Sequence, residues 1–264
     1  MILPLVLSLV LVVSPNGSFA EYVVAESERG IIPMPEGLPY EHASQLGIAP
    51  FTALQCLHQS LELPSPLDTP SGPQRTILIW GGASSVGQYA IQFAKLGGFR
   101  VITTALPENF NFLKNLGWYE DLGADEVFGY RDADVVEKIR AYTGNALEIA
   151  IDTISEGKTP KRVTSAIGDK GGRVATILPY GSPRPDVEVK LSRFTDLLKR
   201  VRYLSLLMRS FADGFLGVEW RVVRRFADQN PCHGQDPAEP PASPTWRPCR
   251  CQGRLPVHAR GQGN

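Results

Sequence analysis

The middle of the sequence predicts an α/β protein built on a doubly wound parallel sheet. Short apolar runs alternate with segments in which apolar residues recur every three or four positions, as strands alternate with amphipathic helices. The first of these runs leads directly into the glycine-rich segment 81–87. Because helices and short loops separate the strands, we expect parallel pairing with right-handed crossovers.

Each predicted element has its own local pattern. Residues 76–80 are almost continuously apolar, as in a strand that is buried on both faces of a parallel sheet. In the helix that follows, Val86, Ala90 and Phe93 share one face, and Gly97 marks its end. Further strands are predicted at 100–104, 126–128, 148–152 and 172–177, and further helices at 109–116, at 134–143 and from about Pro160 onward.

The composition is that of a globular protein without a strong charge. Among 264 residues, Lys and Arg number 27, Asp and Glu also number 27, and 43% of the residues are hydrophobic. This balance creates no field that would attract nucleic acid or an anionic membrane, so neither is expected as a partner. The 4 cysteines lie too unevenly for a disulfide framework, which predicts a reducing compartment.

The two ends differ from the middle. Residues 2–13 are mostly apolar and the small residue Ala20 follows, so this start is interpreted as a secretory signal, as a buried strand or as an aberrant start. No Lys or Arg precedes the run, and it is shorter than the about 20 residues that cross a membrane. Residues 231–264 are rich in proline, and this tail is predicted to be disordered. Within it, Cys249 and Cys251 lie closer together than zinc ligands usually do, and no metal site is predicted.

The glycine-rich segment predicts a site for the pyrophosphate of a dinucleotide. Gly82, Ser84 and Gly87 correspond to the three glycines of the common G-x-G-x-x-G pattern, with serine in the middle position. A strand before this turn and a helix after it would bring backbone amides, including those of Ser85 and Val86, to the positive end of the helix. The Ser84 hydroxyl is expected to donate to the phosphate. The alternative interpretation is a tight turn without a ligand.

The end of the second predicted strand bears on the choice of dinucleotide. An Asp or Glu there would bind the ribose hydroxyls of NAD and repel a 2′-phosphate, but the residues are Thr103, Thr104 and Ala105. Thr104 is therefore a candidate cofactor contact, and NADP is favoured over NAD. Glu108, in the loop that follows, argues for NAD unless its carboxylate points to solvent.

Several further motifs resemble those of one superfamily. Together with the glycine turn they are residues 17–23 (GSFAEYV), 47–54 (GIAPFTAL), 107–110 (PENF) and 123–128 (GADEVF). The sequence from residue 17 to residue 183 resembles the medium-chain dehydrogenase/reductase superfamily. It is most similar to its fungal zinc-independent branch, which includes quinone-reductase-like proteins and the trans-acting enoyl reductases of polyketide clusters.

The resemblance implies roles for individual residues. Thr52 would line the nicotinamide and bond its carboxamide, or would be an ordinary residue near a helix start. Tyr130 would pack near the ribose phosphate, or would be an ordinary surface aromatic. The remaining matches are Asn109 and Phe110 in the loop that holds the adenosine ribose, and Thr153 and Leu178 in turns at the carboxyl edge of the sheet.

The resemblance also implies a reaction. The expected activity is NADPH-dependent hydride transfer to an activated C=C of an enoyl or quinone-type substrate, in secondary metabolism. The substrate would be a small molecule or an acyl group on a carrier, and the partner either a second copy of the chain or a polyketide synthase. His42 and His58 are the only histidines of the predicted folded region, and no set of zinc ligands accompanies them, so no zinc is expected.

The predicted domain organisation departs from that of a complete member of the superfamily. The segments are an apolar start at 1–16, a remnant of a β-rich, GroES-like catalytic domain at 17–50, a nucleotide-binding Rossmann domain at 51–225 and a disordered tail at 226–264. Residues 118–123 are an insertion. The alternative function is a catalytically silent, truncated nucleotide-binding module, which would expose an apolar patch around residues 51–63. A signal cleavage after Ala20 would cut a family-like strand, so we predict a cytoplasmic location, with secretion as the alternative.

Overall fold

The computed structural model describes residues 47–64, 72–116 and 122–192, together with the backbone of residues 5–8 and 31–33. All of them belong to one compact unit, Met1–Gln229. Several predictions concern residues outside these ranges: the family-like motif at 17–23, most of the insertion at 118–123, and the proline-rich tail.

The described elements follow one another in the predicted alternation. The strands are β1 (Leu5–Ser8), β2 (Ile31–Pro33), β3 (Thr76–Trp80), β4 (Arg100–Ala105), β5 (Glu126–Gly129), β6 (Ile149–Asp152), β7 (Gly172–Thr176) and β8 (Val187–Leu191). The helices are α1 (Ile48–Leu54), α2 (Ser85–Leu96), α3 (Phe110–Lys114), α4 (Val135–Tyr142) and α5 (Thr159–Ala166). A π-helical segment, Gln55–Ser60, continues α1, and a 3₁₀ turn, Pro107–Asn109, precedes α3.

The described part of the chain contains a parallel sheet of six strands in the order β5-β4-β3-β6-β7-β8. The chain moves outward from β3 through β4 to β5, returns to β6 on the other side of β3, and then moves outward to β8. The predicted doubly wound α/β fold is therefore confirmed. The junction of β3 and β6 is its switch point, where ligands bind in sheets of this kind.

The helices cover both faces of this sheet, and β3 contributes to both cores. Ile77 and Ile79 face the core formed with α1 and α2, whereas Leu78 and Trp80 face the core formed with α4 and α5. All four side chains are almost fully buried, as the continuous apolar run predicted.

The apolar patch expected around residues 51–63 is not exposed. Phe51, Leu54, Leu57 and Leu61 are buried in the core beside α2. Their burial follows from the packing of α1 and its π-helical continuation against that helix. None of the described helices is long and apolar enough to cross a membrane.

The apolar start contains a strand. Leu5–Ser8 pairs antiparallel with Ile31–Pro33 and forms a separate two-stranded sheet. This pairing agrees with the strand interpretation of the segment at 2–13.

Two arginines bind carbonyl groups at the end of α5, where the last carbonyls of a helix have no amide partner within the helix. Arg184 donates to the carbonyls of Ile167 at 2.6 Å and Gly168 at 2.8 Å. Arg140 donates to Ser165 at 3.0 Å and to Ile167 at 2.8 Å. These cations also complement the negative end of the helix dipole. Arg184 thereby joins the loop before β8 to the helix that crosses from β6 to β7.

Replacing Arg184 tests this connection. We expect Arg184→Gln to lower the free energy of unfolding by about 1–3 kcal/mol, because several partly buried carbonyls lose a charged donor. Arg75→Gln is the control, since Arg75 makes only an exposed ion pair with Glu148 at 4.0 Å and its loss should cost less than about 0.5 kcal/mol. Denaturant titrations measure both changes, and equal effects would contradict the capping role.

Candidate cofactor site

The glycine turn begins where β3 ends, and β4 holds it in place. Gly81 has a φ of +83°, a left-handed conformation that favours glycine. Its amide donates to the Thr104 hydroxyl at 3.0 Å, and the amide of Gly82 donates to the Thr104 carbonyl at 3.0 Å. Thr104 is fully buried, so the structure puts this predicted contact behind the turn, where it supports the backbone.

Two of the three motif positions require glycine because no space remains. A Cβ on Gly82 would lie 2.2 Å from Thr103 Oγ1, and a Cβ on Gly87 would lie 2.3 Å from the Gly81 carbonyl oxygen. Ser84 instead has φ −69° and ψ 157°, which any residue adopts. The serine in the middle position therefore fits without strain.

Ser84 caps the amino end of α2. Its Oγ accepts a hydrogen bond from the Gly87 amide at 3.0 Å. The next two amides, those of Ser85 and Val86, have no acceptor among the described residues, as expected for a first helical turn. Ser85 is exposed and Val86 is half-buried. The predicted pyrophosphate site is thus an accessible helix start next to the switch point of the sheet.

Thr153 follows β6 and lies directly against this turn. Its Oγ1 is 2.8 Å from the Trp80 carbonyl oxygen, 3.1 Å from that of Gly81 and 2.8 Å from Ser84 Oγ. The side chain is buried. The structure therefore brings Thr153 and Ser84 together, although they lie far apart in the sequence.

A buried carboxylate organises the turn after β6. Asp152 Oδ1 accepts from the amides of Ile154 at 3.0 Å and Ser155 at 2.8 Å, and Oδ2 accepts from the Thr159 hydroxyl at 2.9 Å. Burial raises the pKa of Asp152, and the hydrogen bonds to Ser155, Ile154 and Thr159 oppose that shift. Asp152 thus connects the end of the strand to the start of α5.

The predicted adenosine contacts follow the carboxyl ends of β4 and β5. Asn109 and Phe110 lie where the 3₁₀ turn passes into α3, and both are half-buried. The Tyr130 amide donates to the Ala105 carbonyl at 3.3 Å, which ties the two strand ends together. The Arg131 guanidinium lies over the Tyr130 ring, 5.8 Å from its centre. Arg131 was not among the predicted site residues, because an exposed arginine in a loop has no distinctive sequence pattern.

The remaining predicted site residues are Thr52 and Leu178. Thr52 is buried in α1, which packs against α2. Leu178 follows β7 and is 39% exposed, and Ile154 follows β6 and is 37% exposed. A Cβ on Gly81 would lie 2.7 Å from Ile154 Cγ1, so Ile154 borders the glycine turn. These two apolar side chains give the carboxyl edge a hydrophobic surface.

The described residues do not offer a metal site. No group of three or more His, Cys, Asp or Glu side chains among them could hold an ion. Cys56 is buried, and burial raises the pKa of its thiol to about 11, so the free thiol is protonated near neutral pH. The independence from zinc stays a prediction.

A glycine turn between the central strand of a parallel sheet and a helix is the arrangement found in α/β domains that bind nucleotides. Residues 85–220 match the family model described as zinc-binding dehydrogenase, and the chain belongs to this family of the medium-chain dehydrogenase/reductase superfamily. The resemblance predicted from the sequence motifs is therefore confirmed at the level of the superfamily.

Fungal trans-enoyl reductases are among the relatives. The trans-enoyl reductase ACTTS2 of Alternaria alternata is 40% identical over 177 residues, which are 66% of this chain and 49% of that protein. The trans-enoyl reductase gkaC of Penicillium citrinum is 38% identical over 171 residues, 62% of this chain and 45% of that protein. The chain thus spans about half the length of these relatives.

Solved structures share the fold. The CurF ER cyclopropanase from the curacin A biosynthetic pathway has a TM-score of 0.61 at 22% identity, with 76% of this chain and 58% of that chain covered. An NAD-dependent alcohol dehydrogenase has a TM-score of 0.54 at 27% identity, with 72% and 55% covered.

The buried carboxylate makes stability depend on pH in a defined direction. The pKa of Asp152 is raised from its ordinary value of 3.8, so the unfolded chain releases this proton at lower pH than the folded chain. We compare the free energies of unfolding of the native protein and of Asp152→Asn. The difference in favour of the native protein should fall as the pH rises from the pKa of Asp152 in the unfolded chain to its pKa in the folded chain. Denaturant titrations of both proteins across the acid range measure this difference.

Asp134→Asn is the matched control, with the opposite sign. Its hydrogen bond with Lys138 lowers the pKa of Asp134, so the free energy of unfolding relative to Asp134→Asn should rise with pH from the folded pKa up to the unfolded value of 3.8, below the range in which Asp152 titrates. A difference at Asp152 that also rises with pH would show that the folded protein favours the ionised form.

Proposed function

We propose that this chain binds NADPH and reduces the activated C=C of an enoyl or quinone-type substrate. The observation that carries the proposal is the start of α2, where a glycine turn at the switch point presents the amides of Ser85 and Val86. The similarity to trans-enoyl reductases supports the substrate class. The predicted nucleotide-binding domain, residues 51–225, would carry the site.

The preference for NADPH rests on the charges near the ribose position. β4 ends in Thr103, Thr104 and Ala105, so no carboxylate at the end of this strand would repel a 2′-phosphate, and Glu108 in the following turn is exposed to solvent. Arg131 is exposed, follows the neighbouring strand and has a planar guanidinium that suits a phosphate. We assign the 2′-phosphate to Arg131 and the adenosine ribose to Asn109 and Phe110.

NADPH, when bound, would supply the hydride that adds to the β-carbon of the unsaturated substrate, and a proton delivered to the α-carbon would complete the reduction. The protein's task is to orient the two molecules and to exclude water. The amides of α2 would hold the pyrophosphate, and Thr52 would contact the nicotinamide. Ile154 and Leu178 would form the apolar border beside it. No metal is required for these steps.

The biological setting is part of the same proposal. By similarity to the trans-enoyl reductases, the substrate would be a small unsaturated molecule or a carrier-bound acyl group of secondary metabolism. The partner would be a polyketide synthase or a second copy of the chain. A nucleotide-binding module without turnover is the alternative, and it would bind NADPH without oxidising it when enoyl and quinone substrates are added.

A charge at the start of α2 tests the pyrophosphate site. Ser85→Asp places a carboxylate beside the amides, where it stabilises the helix by about 0.3–1 kcal/mol but repels phosphate. We expect NADPH affinity to fall at least about tenfold without loss of thermal stability. Titration by nicotinamide fluorescence measures the affinity. Ser85→Asn has the same size without the charge, and equal weakening by both variants would contradict the electrostatic explanation.

Arg131 tests the choice of cofactor. We expect Arg131→Gln to weaken NADPH about tenfold and to leave NADH binding unchanged, because only NADPH carries the 2′-phosphate. Parallel titrations with the two cofactors measure the ratio of their affinities. Arg173→Gln, at the opposite edge of the sheet, should leave that ratio as it is in the native protein. A loss shared equally by NADPH and NADH would refute the assignment of the 2′-phosphate to Arg131.

A further inference from the structure

We propose that Thr153 is a positioning residue, which acts through Ser84 to fix the pyrophosphate turn. This proposal rests on the proposed NADPH site. It states that the turn after β6 determines the conformation of the glycine turn. The two hydroxyl oxygens are 2.8 Å apart and 69 positions apart in the sequence. The contact therefore joins the helix start to a strand on the other side of the switch point.

The direction of each hydrogen bond follows from the available donors. The Trp80 and Gly81 carbonyl oxygens near Thr153 Oγ1, at 2.8 and 3.1 Å, can only accept. The single proton of Thr153 is therefore directed to these carbonyls. The Ser84 hydroxyl must then donate to Thr153 Oγ1, since that oxygen has only acceptor capacity left for it.

Ser84 is fixed in two directions by this arrangement. Its proton goes to Thr153, and its oxygen accepts from the Gly87 amide at 3.0 Å. The hydroxyl expected to donate to phosphate is already used within the protein. Ser84 therefore contributes by holding the first turn of α2, so that the amides of Ser85 and Val86 keep their direction toward the ligand.

Gly81 is part of the same set of contacts. A Cβ there would lie 2.8 Å from Thr153 Oγ1, so the absence of a side chain leaves the space in which this hydroxyl reaches the turn. The end of β3, the turn and the start of α2 are thus all in contact with one buried side chain. Removing its hydroxyl should loosen the turn without removing any ligand contact.

The test uses a hydroxyl deletion of nearly unchanged volume. Thr153→Val should weaken NADPH binding by roughly three- to tenfold, the range expected for one neutral hydrogen bond. Thr153→Ser, which restores the hydroxyl, should recover most of the affinity. Ser84→Ala should produce a similar loss, and adding it to Thr153→Val should cost little more, because both changes break one chain of bonds.

A second probe separates positioning from a general loss of structure. Adenosine 2′-monophosphate carries the adenosine and the 2′-phosphate but no pyrophosphate, so its affinity in calorimetric titrations should be the same for the native protein and Thr153→Val. Thr164→Val is the matched control. Its buried hydroxyl bonds only to carbonyls within α5, at 3.0 Å, and its removal should leave NADPH affinity unchanged.

The outcomes distinguish this proposal from the proposed function. If the folded native protein shows no saturable NADPH binding, the proposed function fails and the positioning role fails with it. If the native protein binds NADPH and Thr153→Val binds it equally well, the positioning role alone is wrong. Equal weakening of NADPH and adenosine 2′-monophosphate would likewise overturn it. Where Thr153→Val does not fold, the same comparison with Ser84→Ala decides between these outcomes.

Discussion

The candidate cofactor site depends on the contacts that join the carboxyl ends of β3, β4 and β6 after their hydrogen-bond ladders end. Backbone groups that leave a buried ladder need new partners, since an unpaired buried group is costly. Here threonine hydroxyls provide them. Thr104 accepts from the Gly81 amide, and Thr153 bonds to the carbonyls of Trp80 and Gly81. The turn between β3 and α2 is therefore supported on both sides by neighbouring strands.

This support is almost entirely neutral. Thr103, Thr104 and Thr153 carry no charge, and the carboxylate of Asp152 is buried in the turn after β6. Because these supporting side chains are neutral, the positive end of the α2 dipole dominates the electrostatic field at the turn. Such a field favours a ligand with several negative charges. Arg131, to which we assign the 2′-phosphate, follows β5 and is separated in the sheet from the turn after β3 by β4.

The sequence was sufficient for the elements with strong local patterns. The five strands from β3 to β7 were predicted to within about two residues, because short apolar runs and helical periodicity are properties of neighbouring residues. β8 was not predicted, although Val187–Leu191 alternates apolar and charged residues with the period of a half-buried strand, and it pairs with β7 in the structure. The roles of Ser84 and Thr104 could not be predicted either. Their partners are set by the spacing of strands, which no local pattern encodes.

Because Ser84 and Thr153 lie far apart in the sequence, the contact between them can form only late in synthesis. A nascent chain that has emerged only as far as α2 already contains every glycine of the phosphate motif. It lacks the threonine that completes the turn, because Thr153 enters 69 positions later, after two further crossovers. The proposed nucleotide site would therefore form only with the assembled sheet, and its formation would report that β6 has inserted beside β3.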